Sequence, residues 1–131
     1  MKLTTLSTLA LAAAGLVSAD NAALCAAKNA GLMTAIDKFC AKTNMVVPST
    51  YTGHDGGAQS PDKHTKIWID GYCTPPQWIP QQYYYSQFYE MCAKGGKHGG
   101  SVKDFGKKDS KYSPPCQVWN IQYKHQPGKG W

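Results

Sequence analysis

The cysteines constrain the fold of this chain more than any other feature. They are Cys25, Cys40, Cys73, Cys92 and Cys116. None stands at the Cys-x-x-Cys spacing typical of a structural zinc site, so in an exported chain disulfides are the favoured use. Because the count is odd, one thiol stays free or pairs between chains. If 21–42 forms one helix, Cys25 and Cys40 lie roughly 22 Å apart and cannot bond, and the other pairings stay open.

Export is predicted from the first residues, MKLTTLSTLALAAAGLVSA. Lys2 precedes an apolar run, and small residues around Val17 and Ala19 precede a cleavage point before Asp20, as in a secretory signal peptide. The run is too short and too weakly apolar for a membrane span. We therefore expect a signal peptide at 1–19, a single domain at 20–131, an extracellular location and no membrane insertion.

The basic residues are all lysine. The chain carries fourteen of them against eight acidic residues, for a formal net charge of +6. Arginine is the residue suited to bidentate contacts with bases and phosphates, so a lysine-only charge favours a solvated basic face and no nucleic-acid partner. Attraction to acidic cell surfaces is the second interpretation. The clustered charges are Lys94, Lys97, Lys103, Asp104, Lys107, Lys108, Asp109 and Lys111.

Hydrophobic spacing predicts helices and strands in one α+β domain. Apolar residues recur at helical spacing over 21–42, which predicts a first helix. A short apolar run at 45–47 predicts a strand, and the alternating segment HTKIWID at 64–70 predicts another. The stretch 48–63 between them is rich in glycine, proline and aspartate and is a long loop.

The second half of the chain adds a helix and a last strand. Pro80 at a first helical position and the Gly95-Gly96 pair bound a helix that ends near Lys94. A glycine- and lysine-rich stretch follows, and the alternation in CQVWNIQYK predicts a strand over 116–124. Apolar residues on both faces of this strand indicate a sheet that is covered on two sides.

Seven of the fifteen aromatic residues lie within 71–92. Helical spacing places Phe88 toward the core and Tyr83 and Tyr89 toward opposite flanks, where they can meet solvent or a partner. Trp78, among prolines and before the helix, is predicted to pack at the helix entry. Most of this aromatic block is therefore predicted to be scaffold.

The frame FCAK, IDGYC, PPQWIPQQYYYSQF, EMCAKGG and CQVWNI resembles the small secreted glycan-binding proteins of mushrooms, lectin-like domains typified by the ink-cap mushroom protein. The resemblance covers nearly all of 20–131. It implies a disulfide-stabilised α-β-α sandwich around a mainly antiparallel sheet, and a homodimer formed through the C-terminal strands. It also implies binding of N-acetylhexosamine-containing glycans, fucosylated ones included, on glycoproteins or cell surfaces, with a defence or cytotoxic role.

A sugar site needs flat rings to stack on the C–H face of a pyranose and planar polar groups to take up its hydroxyls. Trp and Tyr beside Asp, Asn and His provide that combination, whereas each Trp has core packing as its alternative use. The predicted ligand-binding residues are Trp68, Asp70, Tyr72, Tyr51, His54, Asp55, Trp119 and Asn120.

Three rival functions are less well supported by the residues. A small basic ribonuclease needs a general acid, a general base and a cation, and the chain has four histidines, His98 among them, but a single glutamate and no arginine. A glycosidase needs two facing carboxylates, and no aspartate pair is singled out. A membrane-active toxin needs a basic amphipathic helix, which neither helix provides. We therefore assign no catalytic residue, no cofactor and no metal.

Overall fold

The computed structural model describes residues 19–106, 115–127 and 131. The predicted signal peptide therefore lies almost wholly outside the described residues, as do four of the clustered charges, Lys107, Lys108, Asp109 and Lys111. Three α-helices are present over the described residues: α1 (Ala19–Lys28), α2 (Ala30–Cys40) and α3 (Gln82–Lys94). None of the helices in these ranges is long and apolar enough to cross a membrane.

The prediction of a single helix over 21–42 is wrong, because the helix is interrupted at Asn29. The Asn29 side chain accepts a hydrogen bond from the Leu32 backbone N–H and so caps the N-terminus of α2. Its amide nitrogen donates to Thr65 Oγ1 at 2.8 Å and to the His98 carbonyl at 3.1 Å. These two contacts hold the break against the start of a central strand and against a distant loop.

The main sheet has four strands in the order β2 (Ala58–Gln59), β3 (Thr65–Gly71), β6 (Gln117–Tyr123) and β5 (Ser101–Phe105). Every neighbouring pair is antiparallel. A separate two-stranded ladder joins β1 (Val46–Val47) to β4 (Gln77–Trp78). Strand β5 lies in the glycine- and lysine-rich stretch, for which the sequence pattern predicted no strand.

The two faces of the main sheet differ in what covers them. The inner face carries Ile67, Ile69, Trp119 and Ile121, all in the hydrophobic core with the buried faces of the helices. Phe88 of α3 packs against Trp119 with ring centroids 4.8 Å apart. On the outer face the covering layer is the loop that contains a short 3₁₀ helix (His54–Gly56), which contacts β3.

Two disulfides cross-link elements that are distant in sequence. Cys25–Cys92 joins α1 to α3, and Cys73–Cys116 joins the end of β3 to the start of β6. Cys40 is the free cysteine among the described residues, and it is buried. The prediction of an α+β fold with a mainly antiparallel sheet and disulfides is confirmed.

Edge-to-edge pairing of two chains along 117–121 of the C-terminal strand is not compatible with this topology. Strand β6 is central: Ile121 pairs with Ile67 of β3 on one side and with Ser101 of β5 on the other. Residues 117–121 therefore have both ladder edges occupied within the chain. The edge-to-edge dimer that was predicted for 116–124 is corrected, because an unpaired edge is required for that contact.

Candidate functional site

Trp68, the first ring predicted to stack on a sugar, is mostly covered. It lies on the outer face of β3 and is 8% exposed. Its indole N–H donates to Asp70 Oδ2 at 2.6 Å, and His54 of the covering loop meets the ring edge-on at a centroid distance of 4.8 Å. The loop can lie this close because Gly57 has no side chain. A Cβ at this position would stand only 2.4 Å from the Ile67 carbonyl oxygen. Trp68 is thus held as support for the loop.

Three of the predicted residues do converge, in a shallow polar cleft. His54, Asp55 and Asp70 line it together with residues 48–50 and Gly53, and its volume is about 400 Å³. His54 Nδ1 and Asp55 Oδ1 are 3.8 Å apart. The cleft is open and does not include Trp68 among its lining residues. It offers hydroxyl partners but no flat apolar face.

The remaining predicted rings lie apart from this cleft. Tyr51 is exposed, and Lys42 Nζ lies 4.1 Å above its ring. Tyr72 is also exposed and its hydroxyl is 3.5 Å from the Pro115 carbonyl. Neither residue is among those that line the polar cleft.

Trp119 is a core residue, which corrects its prediction as a ligand-binding ring. It is 0% exposed and packs between Phe88 and Phe105, and its N–H donates to Gln117 Oε1 at 2.9 Å. A ring in this position has no face free for a sugar. Asn120 lies on the outer face opposite Trp68 and is half-buried, with its side-chain amide donating to the Val118 carbonyl.

A second, larger depression lies beside β4, and we call it the proline groove. Its volume is about 910 Å³. One wall is the segment 74–80, the other is the first two turns of α3, and the ends of β5 and β6 form its base. Its lining side chains include Pro75, Pro76, Gln77, Trp78, Pro80, Tyr83, Gln87, Phe105 and Gln117.

Two aromatic rings of the proline groove are open to solvent. Trp78 is 60% exposed and Tyr83 is 38% exposed. The prediction that Trp78 packs at the helix entry is therefore wrong, whereas the outward position of Tyr83 is confirmed. Tyr89, which was predicted to project to a flank, is buried against the core instead.

Amide groups supply the polar side of the proline groove. Gln117 is nearly buried and bridges two layers, because it accepts from the Trp119 indole and donates to Gln77 Oε1 at 3.1 Å. Gln87 Oε1 is buried and has no hydrogen-bond partner within the described part of the chain. A buried acceptor without a partner is costly, so this amide is a point of local instability in the wall of the groove.

Gly106 makes the close approach at the base of the groove possible. Its φ is +91°, and a Cβ there would stand 2.6 Å from the amides of both Gln117 and Gln77. Only glycine accommodates both the backbone angle and the contact. The turn after β5 thus brings the backbone against the glutamine bridge.

Charge is absent from the lining of the proline groove in the ranges that the structure describes. Rings, prolines and amides without any ionised group suit a neutral polar ligand with apolar patches. The sequence signal that was available for this site is the Trp-x-Pro segment itself. Prolines on both sides of a tryptophan keep its segment extended, so the tryptophan does not become part of a helix that would bury its ring.

The titratable side chains differ between the two depressions. No group of three or more His, Cys, Asp or Glu side chains that could hold a metal occurs over 19–106, 115–127 and 131. The polar cleft has one imidazole and two carboxylates, and the proline groove has no titratable side chain other than the Tyr83 phenol among its lining residues. Comparison of the chain with protein-family models, curated proteins and solved structures found no match.

Proposed function

We propose that this chain is a secreted lectin-like protein that binds N-acetylhexosamine-containing glycans in the proline groove. Binding without catalysis fits a site whose described lining carries no acid or base pair. Secretion rests on the N-terminal residue pattern, and the choice of amino-sugar rests on the resemblance to the mushroom proteins. A defence role against cells that display such glycans belongs to the same proposal.

The observation that carries the proposal is the exposed Trp78 ring in a groove whose described lining residues are uncharged and include several amides. A pyranose stacks its C–H face on an indole, and the proposed partners for its hydroxyl and acetamido groups are the side-chain amides that line the groove, Gln77 and Gln87. The groove volume of about 910 Å³ lies at the upper end of ordinary small-ligand pockets. It is therefore large enough for two or more sugar rings.

The test is binding of N,N′-diacetylchitobiose to residues 20–131, measured by titration calorimetry after a glycan array has ranked the ligands. Trp78→Ala and Tyr83→Ala should each weaken binding about tenfold, since loss of a stacking ring costs about 1–1.5 kcal/mol. Tyr51→Ala is the matched control, because Tyr51 is similarly exposed but lies outside the groove.

Two results would contradict the proposal. One is the absence of saturable binding to any amino-sugar glycan on the array by a folded protein. The other is equal weakening by Tyr51→Ala and Trp78→Ala, which would mean that exposed rings act non-specifically.

A further inference from the structure

A chain of hydrogen-bonded side chains runs from the hydrophobic core to the base of the proline groove. It begins at the Trp119 indole, which is 0% exposed and donates to Gln117 Oε1 at 2.9 Å. It continues from Gln117 Nε2, which donates to Gln77 Oε1 at 3.1 Å. All three residues line the groove, and we call them the amide relay.

The indole sets the direction of both hydrogen bonds in the amide relay. An indole nitrogen can only donate, so the end of the Gln117 amide that faces Trp119 has to be its oxygen. The end that faces Gln77 is then the NH₂ group of Gln117, which can only donate in its turn. It requires the oxygen of Gln77. The NH₂ group of Gln77 therefore lies on the branch of that amide that is turned away from Gln117.

The surroundings of the amide relay hold this orientation. A Cβ on Gly106 would stand 2.6 Å from Gln117 Nε2 and 2.6 Å from Gln77 Oε1, so the glycine backbone lies directly against the two bonded atoms. Gln117 is only 5% exposed. Rotation of the Gln77 amide would leave the Gln117 donor without an acceptor in a nearly buried position, which is costly. The fold thus fixes which end of Gln77 is the donor.

The donor end of Gln77 restricts the groups that can bind beside it. Gln77 is half-buried, lines the groove and pairs through its backbone with Val47. Its NH₂ group carries two N–H donors and no acceptor. A carbonyl oxygen needs only one of these donors, so the other can serve a contact within the protein. An ammonium group also has only donors, and it would lose water next to a described lining that carries no carboxylate.

We infer that Gln77 donates to the acetamido carbonyl oxygen of the bound sugar, and that Gln117 is the residue that positions it. The inference rests on the proposed function and adds the contact that determines specificity. The preferred ligand class is an N-acylated sugar. A sugar with a hydroxyl in place of the acetamido group lacks the carbonyl contact, and a sugar with a free amino group is rejected.

The aromatic ring and the amide relay then have separate effects on binding. Trp78 is 60% exposed and offers its face to the C–H side of a pyranose, whatever the substituent on the sugar nitrogen. Its removal should weaken acetylated and unacetylated sugars alike. Loss of the Gln77 donor should instead change the ratio of their affinities. This ratio is the quantity that tests the inference.

The experiment titrates three β-1,4-linked disaccharides near pH 6, where a free amino group is protonated. They are N,N′-diacetylchitobiose, the fully deacetylated chitobiose, and cellobiose, which has hydroxyls at the same positions. We expect diacetylchitobiose to bind about tenfold more tightly than cellobiose, since one hydrogen bond contributes about this factor, and chitobiose to bind most weakly. Equal affinities for diacetylchitobiose and cellobiose would refute the inference and leave sugar binding in place.

Gln77→Glu is the decisive variant. It keeps an oxygen for the Gln117 donor and replaces the NH₂ group by a second, negatively charged oxygen. Diacetylchitobiose should bind about tenfold more weakly, and chitobiose should become the tighter ligand through its ammonium groups. Gln82→Glu is the matched control, because Gln82 is exposed and is not among the described lining residues, and it should keep the original ranking. An unchanged ranking in Gln77→Glu would refute the inference.

Gln117→Met tests positioning, because it removes both bonds of the amide relay and keeps a side chain of similar length. The affinities for diacetylchitobiose and cellobiose should approach equality, whereas a merely structural role of Gln117 would lower both and preserve their ratio. Trp78→Ala should likewise preserve the ratio. Since loss of the Trp119 partner can destabilise the core, thermal unfolding of Gln117→Met is measured first, and the Gln77→Glu result stands independently of it.

A small probe separates the donor from sugar binding. The side-chain NH₂ signals of Gln77 are followed by NMR during titration with N-methylacetamide, which supplies a carbonyl without a sugar, and with methylammonium. We expect N-methylacetamide alone to shift them. Binding of disaccharides that depends on Trp78 but leaves the Gln77 signals unmoved would refute this inference alone. Absence of binding by every disaccharide would refute the proposed function together with it.

Discussion

Replacement of Trp68 by alanine distinguishes a supporting ring from a ligand-stacking ring. Trp68 is 8% exposed, so its side chain removes about 200 Å² from water on folding. At about 25 cal/mol per Å² this burial is worth about 5 kcal/mol. Alanine retains a small part, and the covering loop can settle onto the sheet, so the expected loss in free energy of unfolding is about 3–5 kcal/mol.

The hydrogen bond of Trp68 adds little to this loss. The indole N–H donates to Asp70 Oδ2 at 2.6 Å, but Asp70 is exposed and its carboxylate is rehydrated when the donor disappears. Such a bond contributes about 1 kcal/mol. Trp68→Phe, which keeps a ring but loses the N–H, should therefore lose only about 1–2 kcal/mol.

Urea unfolding followed by far-UV circular dichroism measures these differences, and the melting temperature of Trp68→Ala should fall by roughly 10–20 °C. Trp78→Ala is the matched control, since its ring is 60% exposed and its loss should cost less than about 1 kcal/mol. The reasoning is refuted if Trp68→Ala keeps its stability within about 1 kcal/mol and yet weakens glycan binding tenfold. That outcome would place the sugar at the polar cleft.

Three further perturbations test the disulfides, the free thiol and a buried phenol. Cys73→Ser with Cys116→Ser opens a loop whose ends are 43 residues apart, so the free energy of unfolding in urea should fall by about 4 kcal/mol; no loss would contradict the pairing. Burial, with a smaller effect from a nearby aspartate, raises the pKa of the Cys40 thiol far above its usual range, so Ellman's reagent at pH 8 should detect no thiol before unfolding and one afterwards. A covalent dimer would contradict this. Burial raises the pKa of Tyr89 to about 12, above that of an unfolded tyrosine, so its contribution to stability is complete below about pH 10 and is lost as the pH rises toward 12. Tyr89→Phe should flatten the decline in unfolding free energy over that interval, and an unchanged decline would refute the assignment.

Local pattern predicted the elements whose signal is periodic. The strands predicted over 64–70 and 116–124 are observed as β3 and β6, each within one residue at both ends. The helix α3 ends at Lys94 before glycine, as predicted. Alternation and glycine capping depend on residues that are neighbours in sequence. They carry the information needed to place these ends.

The missed elements depend on contacts between distant residues. The helix break at Asn29 is stabilised by Thr65 and His98, and nothing in the alanine-rich sequence around it interrupts the helical period. Strand β5 contains Ser, Lys and Asp among its five residues and shows no apolar alternation, and it forms as a partner of β6. Tertiary partners outweigh local propensity at both places.

The tryptophans show the same limit within the candidate site. Alternation correctly placed Trp68 on the outer face of β3, but coverage by the 53–57 loop depends on close approach of Gly57 to Ile67 and Trp68. Trp78 sits in a two-residue strand too short to show any alternation. Whether a ring is exposed depends on whether a loop covers it, and the spacing of residues in the sequence does not show this.

The exposed ring of the proline groove is held by rigid neighbours on each side. The Cys73–Cys116 disulfide fixes the segment before Trp78, and its own backbone pairs with Val46 of β1. The next residue, Ile79, is buried and its N–H donates to the Met45 carbonyl at 2.9 Å. A ring that needs little ordering on binding loses little entropy, so affinity depends on this framework as well as on the ring. Trp78→Ala should therefore lower affinity at constant stability, whereas opening of the disulfide should lower both together. A disulfide variant that is destabilised but binds diacetylchitobiose with unchanged affinity would show that the framework is dispensable and that the ring alone makes the site.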